Sequence, residues 1–179
     1  VAHELLRPNQ SPFDFIDTAG CGFTEEQDKE TLSRFNKEEA ALVIRLVEGL
    51  IDEIGLDSWI EQHLTMAIIT PYSAQVDYLR QLVEGSTQLV PLGKMISVNT
   101  VDAFQGQERD IIAISLVRSN DKGEVGFLSD IRRTNVAMTR AKKKLIMVGD
   151  SATLSSHPFY NKLLDYVQEN GFYKSAFEL

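Results

Sequence analysis

The chain has 179 residues, 43% of them apolar, which is enough for one α/β domain with a hydrophobic core and too few for two. Its formal net charge of −8 disfavours a protein that coats nucleic acid by bulk attraction. A single cysteine, Cys21, excludes an internal disulfide, and no apolar stretch approaches the roughly 20 residues that span a bilayer. These features predict a soluble, cytoplasmic protein without membrane contact.

Short apolar runs and amphipathic segments alternate along the chain. Apolar or β-rich composition predicts strands at 13–19, 64–70, 94–100, 110–117 and 143–150. Apolar residues at helical spacing, with capping residues, predict helices at 36–55, 73–85, 129–141 and 157–171, the second capped by Ser73 and the third by Ser129 or Asp130. The polar, aperiodic segment 20–35 predicts a long surface loop without an assignable role.

This alternation predicts an α/β fold: a doubly wound, mostly parallel sheet with helices on both faces. In such sheets, ligands collect beyond the carboxyl ends of the strands. The polar stretches that directly follow apolar strands are therefore candidates for function, namely 70–73, 99–110 and 149–151.

Several common catalytic signatures are missing from the sequence. The phosphate-wrapping pattern Gly-x-x-x-x-Gly-Lys-Ser/Thr does not occur, and the Gly93–Lys94 pair lacks both its upstream glycine and its hydroxyl. The pair Asp52–Glu53 mimics a magnesium-binding motif, but its apolar neighbours repeat at helical spacing, which predicts a helix surface. With no Cys/His pairs at ligand spacing, we predict no metal site and no self-contained catalytic centre.

The segment "IITPYSAQ" ends a strand at Thr70, turns at Pro71 and opens a helix at Ser73. The free amides of such a helix can bind a phosphate oxygen. A routine strand-to-helix turn is the alternative.

The segment "VNTVDAFQGQERD" places Gly106 where a backbone can approach a ligand closely, behind the inward-facing Val101 and Phe104. Gln105 and Glu108 then offer hydrogen-bonding groups to a ribose hydroxyl or a neighbouring loop. The alternative is a polar connection between strands.

In "RRTNVAMTRAKKKLIMVGD", helical spacing predicts that Arg133 and Arg140 share one helix face. Arginine offers planar, permanently charged donors to a phosphoryl group. The basic run 132–144 as a whole also fits a solvated helix face, and Lys142 to Lys144 fit surface tuning or a further phosphate contact.

In order and spacing, these three segments resemble motifs IV, V and VI of superfamily-one helicases of the Upf1-like branch. "DTAGCG" and "RSNDKGEVGFL" make the chain similar in particular to the immunoglobulin mu-binding protein helicases. The resemblance runs from about Phe13 to the end of the chain. It implies a RecA-like fold for residues 1–179, the second of two such domains, with the Walker A and B motifs in a first domain that this chain lacks.

The resemblance implies an ATP-dependent helicase with ATP and Mg2+ bound in the cleft between the two domains, and metal ligands in the first. It implies Arg140 as the arginine finger, with Arg133 as second choice. Nucleotide-facing residues are then Gln105, Gly106 and Glu108. The implied partners are single-stranded RNA or DNA and the N-terminal RecA-like domain of the same polypeptide, and the chain is expected to be inactive alone.

Contacts to the backbone of the single strand are implied for Thr70, Tyr72, Ser73, Asn99 and Thr100, extended by Arg118 and Asn120. Two other hypotheses stay open at this stage. One is a non-catalytic, helicase-derived binding module, and the other is a stand-alone phosphate-binding α/β domain.

Overall fold

A computed structural model describes residues 11–104 and 106–179 of the chain. The strands are β1 Phe13–Asp17, β2 Glu26–Gln27, β3 Arg34–Phe35, β4 Met66–Thr70, β5 Ile96–Thr100, β6 Arg109–Ser115, β7 Ala141–Gly149 and β8 Phe172–Ser175. The helices are α1 Lys37–Ile54, α2 Leu56–Glu61, α3 Ser73–Glu84, α4 Ile131–Met138, α5 Ser151–Leu154 and α6 Pro158–Asn170.

Six strands form one sheet in the order β5-β4-β6-β7-β1-β8, and every neighbouring pair is parallel. The carboxyl ends of all six strands therefore meet at one edge of the sheet, which we call the carboxyl edge. The opposite edge is the amino edge. The predicted parallel, doubly wound sheet is confirmed.

The two faces of the sheet bury separate apolar cores. Because side chains alternate along a strand, Ile68 packs with α1 and α3 on one face, and its neighbour Ile69 packs with α4 and α6 on the other. Both residues are fully buried. Strands covered on both faces read as continuous apolar runs, which is why the sequence pattern identified them.

Two predicted helix starts are confirmed and one is wrong. The Asn36 side chain accepts from the Glu39 amide (3.1 Å), and Asp130 accepts from the Arg133 amide (3.4 Å). Ser73 is the first residue of α3 rather than its cap, because the extended backbone of Tyr72 (φ −118°, ψ 124°) already occupies the cap position.

The segment 20–35, predicted as a long surface loop, contains a short antiparallel hairpin that the prediction missed, in which β2 pairs with β3. The sequence pattern also missed α2, α5 and β8. A strand of two residues carries no periodicity, and four half-buried residues in β8 show no alternation. Among the described residues, no helix combines the length and hydropathy required to cross a bilayer.

Candidate functional site

A groove of about 640 Å3 opens at the carboxyl edge, and we call it the edge groove. It gathers residues from six separate parts of the sequence: Thr31, Leu32, Ser33, Arg34, Pro71, Tyr72, Ser73, Thr100, Asp102, Arg118, Gly126, Phe127 and Arg133. Three of the residues predicted to contact nucleic acid therefore lie together, Tyr72, Ser73 and Thr100. They come from the carboxyl ends of β4 and β5, as the parallel sheet requires.

The other two predicted contact residues are placed differently. Thr70 is completely buried, and its hydroxyl has no hydrogen-bond partner among the described residues. Asn99 lines a separate, smaller pocket beside Arg80, along the outer strand β5. The structure therefore does not bring these two side chains into the edge groove.

Tyr72 is buried beneath the groove, with 3% of its surface exposed. Its hydroxyl accepts hydrogen bonds from Arg118 Nη1 (3.2 Å) and from the amide of Phe127 (3.3 Å). Its ring stacks on that of Phe127, with centroids 5.1 Å apart and planes at 20°. Tyr72 therefore ties the start of α3 to the segment that precedes α4.

Arg133 also lies in the edge groove, near the start of α4. Its guanidinium forms a two-point contact with the Asp102 carboxylate, Nε to Oδ1 at 3.1 Å and Nη2 to Oδ2 at 2.8 Å. The same guanidinium lies 6.0 Å from the ring centroid of Phe127. This contact joins the segment after β5 to α4 across the groove.

Arg140 does not share a helix face with Arg133, so that prediction is wrong. Helix α4 ends at Met138, and Arg140 lies in the turn that leads into β7. Its carbonyl accepts from the amide of Arg109, at the start of β6 (3.0 Å). Because β6 and β7 both begin at the amino edge, Arg140 lies there, at the opposite edge of the sheet from the groove.

The turn before β6 reaches the same edge. Gly106 (φ 79°) and Glu108 are exposed and lie within three residues of Arg109. Arg109 holds this turn by donating to the Glu108 carbonyl (2.7 Å) and the Gln107 side chain (3.0 Å). The predicted residue Gln105 lies outside the described residues.

Arg140 has a donor available at this edge. Its Nε is buried and has no hydrogen-bond partner in the described part of the chain. A buried guanidinium nitrogen without an acceptor is costly, and an anionic ligand would remove that cost. We call residues 106–109 and 139–140 the amino-edge turn.

A buried carboxylate, Glu25, organises the loops behind the groove. It accepts from Arg118 Nε (3.0 Å to both oxygens), the Ser119 amide (2.9 Å) and Asn120 Nδ2 (2.7 Å), and Arg34 lies 3.2 Å away. The Arg118 side chain is only 6% exposed. The guanidinium is largely enclosed by protein but still lines the edge groove, and its role in extending the grip on a strand stays a prediction. The 20–35 segment thus has a role, which its polar composition did not reveal.

A second buried carboxyl supports the end of β6. Glu39 Oε2 accepts from the Ser115 hydroxyl (2.9 Å) and from the amide of Val117 (2.7 Å). Burial raises the pKa of Glu39 to about 8. Val117 has a left-handed backbone (φ 70°), and these contacts hold it in that conformation, which leads directly into Arg118.

The basic run is only in part a helix face, because Arg132 and Arg133 lie on α4 while Lys142 to Lys144 belong to β7. Lys142 is exposed, Lys143 lies 3.6 Å from Asp110, and Lys144 is buried 2.9 Å from Asp14. Within residues 11–104 and 106–179, no cluster of His, Cys, Asp and Glu side chains could hold a metal ion. The described site therefore consists of two regions that each contain an arginine guanidinium, the edge groove and the amino-edge turn.

The parallel α/β sheet thus carries the two regions at opposite edges. Residues 2–152 match the family described as "AAA domain". The chain belongs to this family and, by its relatives, to the Upf1-like helicases.

Three relatives illustrate this membership. The DNA-binding protein SMUBP-2 of Rattus norvegicus is 39% identical over 93% of the chain. An uncharacterized ATP-dependent helicase of Methanocaldococcus jannaschii is 40% identical over 89%, and the DNA polymerase alpha-associated DNA helicase A of Saccharomyces cerevisiae is 37% identical over 89%. The chain spans only 16%, 21% and 22% of the lengths of these relatives.

Proposed function

We propose that this chain is the second RecA-like domain of an ATP-dependent helicase or translocase that acts on single-stranded RNA or DNA. The observation that carries the proposal is that two arginine-containing regions, the edge groove and the amino-edge turn, lie at opposite edges of one parallel sheet. Helicase-named relatives support it. The first RecA-like domain of the same polypeptide would complete the nucleotide site.

In this proposal the amino-edge turn faces ATP. Arg140, whose Nε has no partner among the described residues, reaches the γ-phosphate as the arginine finger, while Gly106 permits close approach and Glu108 accepts from the ribose. Bound with Mg2+, ATP would provide the phosphoryl group that is transferred to water. The chain's residues contribute orientation and positive charge at that group, and the carboxylates that hold the metal are expected in the first domain.

The edge groove holds the sugar-phosphate backbone of the single strand. Ser73 and Thr100 offer hydroxyl groups, and Arg133 offers a guanidinium, which we therefore assign to nucleic acid rather than to the finger role. A few such contacts suit a motor that must release and rebind its strand, and they agree with the net charge of −8. Backbone contacts carry no base information, so we expect these contacts to bind without sequence preference.

The experiment is a measurement of ATP hydrolysis by the full-length protein with and without a single-stranded oligonucleotide. We expect stimulated hydrolysis that this chain alone does not show. A full-length protein that binds single strands without hydrolysing ATP would instead identify a non-catalytic binding module. Hydrolysis by the isolated chain would contradict the requirement for a first domain.

A further inference from the structure

Phe127 presents an aromatic ring at the edge groove. It belongs to the short 3-10 segment Gly126–Ser129, in which Leu128 is buried at 2% exposure while Phe127 is 57% exposed. A single exposed apolar side chain is ordinary on a protein surface. This ring differs from an incidentally exposed side chain in two respects. These are the protein contacts that support it and the charged residues that surround it.

The ring is supported from behind. Tyr72 stacks on it at 5.1 Å, and the Tyr72 hydroxyl accepts from the Phe127 amide. Arg118 Nη1 donates to the same hydroxyl (3.2 Å), and Glu25 fixes that guanidinium. A Cβ at Gly126 would come within 1.9 Å of Arg118 Nη1, so the backbone just before Phe127 packs directly against the Arg118 guanidinium. The ring is therefore packed against buried protein groups on its inner side.

Charged residues surround the ring. The residues that line the groove include three arginines and one carboxylate, Asp102. The carboxylates paired with these arginines are Asp102, Glu25 and Glu124, the last 3.9 Å from Arg118, so three positive charges meet three negative ones. The groove is thus neutral in a chain of net charge −8, and its volume of about 640 Å3 lies in the range of small-molecule sites.

We propose that Phe127 is a stacking platform for one base of a single-stranded nucleic acid, while Arg133 contacts a neighbouring phosphate. A planar ring beside a guanidinium fits the two parts of a nucleotide, a π-face and a phosphate. The inference rests on the proposed function of the edge groove and adds a contact to the base. Because every base has a π-face, the platform binds without sequence preference.

The test compares full-length protein with Phe127→Ala, Phe127→Trp and Tyr166→Ala, the last removing a similarly exposed ring (56%) on α6. Each is titrated by fluorescence anisotropy with two labelled single strands of equal length, one with bases and one fully abasic. We expect Phe127→Ala to weaken binding of the base-containing strand about 10- to 100-fold. Phe127→Trp and Tyr166→Ala should bind it like wild type, and the abasic strand should show no difference between variants.

Two results would overturn the platform while leaving the motor proposal intact. One is unchanged affinity of Phe127→Ala for the base-containing strand, and the other is an equal loss for both strands, which would mean that the ring acts through the fold. If wild type binds neither strand, the proposed function of the groove fails as well. If the groove instead binds a protein segment, Phe127→Ala should leave the affinity for the oligonucleotides unchanged.

Discussion

Glu25 and Arg118 form a buried ion pair, in which Arg118 Nε lies 3.0 Å from both carboxylate oxygens of Glu25. The two residues are 93 positions apart, and their side chains are 4% and 6% exposed. The pair joins the loop after β1 to the loop after β6. It thereby fixes the guanidinium on which Tyr72 and the edge groove depend.

Glu25→Gln should destabilise the chain. The substitution keeps the shape of the side chain but leaves the enclosed Arg118 guanidinium with only the more distant, exposed carboxylate of Glu124, 3.9 Å away, as counter-charge. Removing one partner of a buried ion pair costs on the order of 3 kcal/mol. Urea unfolding followed by circular dichroism measures this loss. The exposed neighbour Glu26→Gln is the matched control and should change the unfolding free energy by less than about 0.5 kcal/mol. Equal effects of the two substitutions would contradict the buried pair.

Gly126→Ala should disrupt the same assembly by a steric route. Its added Cβ would lie 1.9 Å from Arg118 Nη1 and 2.7 Å from the Tyr72 hydroxyl. Gly93→Ala is the matched control, since both glycines have φ 53° and Gly93 has open space around it. We expect about 1 kcal/mol of backbone strain in Gly93→Ala and roughly 1–3 kcal/mol more in Gly126→Ala. Unfolding curves of the two variants give this difference directly, and its absence would mean that the groove yields to the extra methyl group.

Glu39 should make stability depend on pH. Burial raises its pKa from 4.5 to about 8, so the folded chain keeps a proton that the unfolded chain releases. The contribution of Glu39 to the free energy of unfolding is fully present below pH 4.5 and is lost as the pH rises towards 8. Between these values the free energy of unfolding falls by up to about 1.4 kcal/mol per pH unit, and above pH 8 the dependence flattens.

Glu39→Gln should remove this slope, because a neutral amide retains the carbonyl acceptor and cannot ionise. Glu38→Gln, on the exposed side of the same helical turn, should retain it. Urea unfolding of the three proteins at pH 5.5, 6.5 and 7.5 measures the effect. Parallel pH profiles for wild type and Glu39→Gln would exclude the predicted protonation.

Substitution of Arg140 and substitution of Arg133 should lower different quantities, ATP turnover and single-strand affinity respectively. In the full-length protein, Arg140→Ala is expected to lower ATP turnover by 10³-fold or more, as for other arginine fingers, while binding of single strands persists. Arg133→Ala should weaken binding and reduce the slope of log affinity against log salt by about 0.7–0.9, with turnover at saturating strand near wild type. Arg45→Ala removes an exposed charge of α1 and should change neither. Loss of turnover in Arg133→Ala at saturating strand would instead favour Arg133 as the finger.

The strands and long helices were predictable because each has a local cause. Buried parallel strands must be apolar throughout, and α1 must alternate its faces and begin at a capping residue such as Asn36. The hairpin β2–β3 has no such local cause. It is stabilised by the ion pair of Arg34 with Glu25 within the segment and by that of Glu25 with the distant Arg118.

The candidate site, like the fold, was predictable only in part from the sequence. Motif order identified the family and pointed to Arg133, Arg140, Gly106 and Glu108, because a family pattern preserves residue types at fixed spacing. It could not place Arg133 and Arg140 at opposite edges of the sheet, since that depends on where α4 ends. Nor did it indicate Phe127, whose meaning comes from a ring 55 positions earlier.

By itself, the sequence determined the class of fold, the family and the residue types available at the site, because periodicity and motif spacing are properties of the chain. Only the tertiary structure decided which of those residues meet. The parallel sheet brings Tyr72 and Phe127 together at the carboxyl edge and leaves Arg140 at the amino edge, because the direction of each strand determines the edge at which its flanking loops lie.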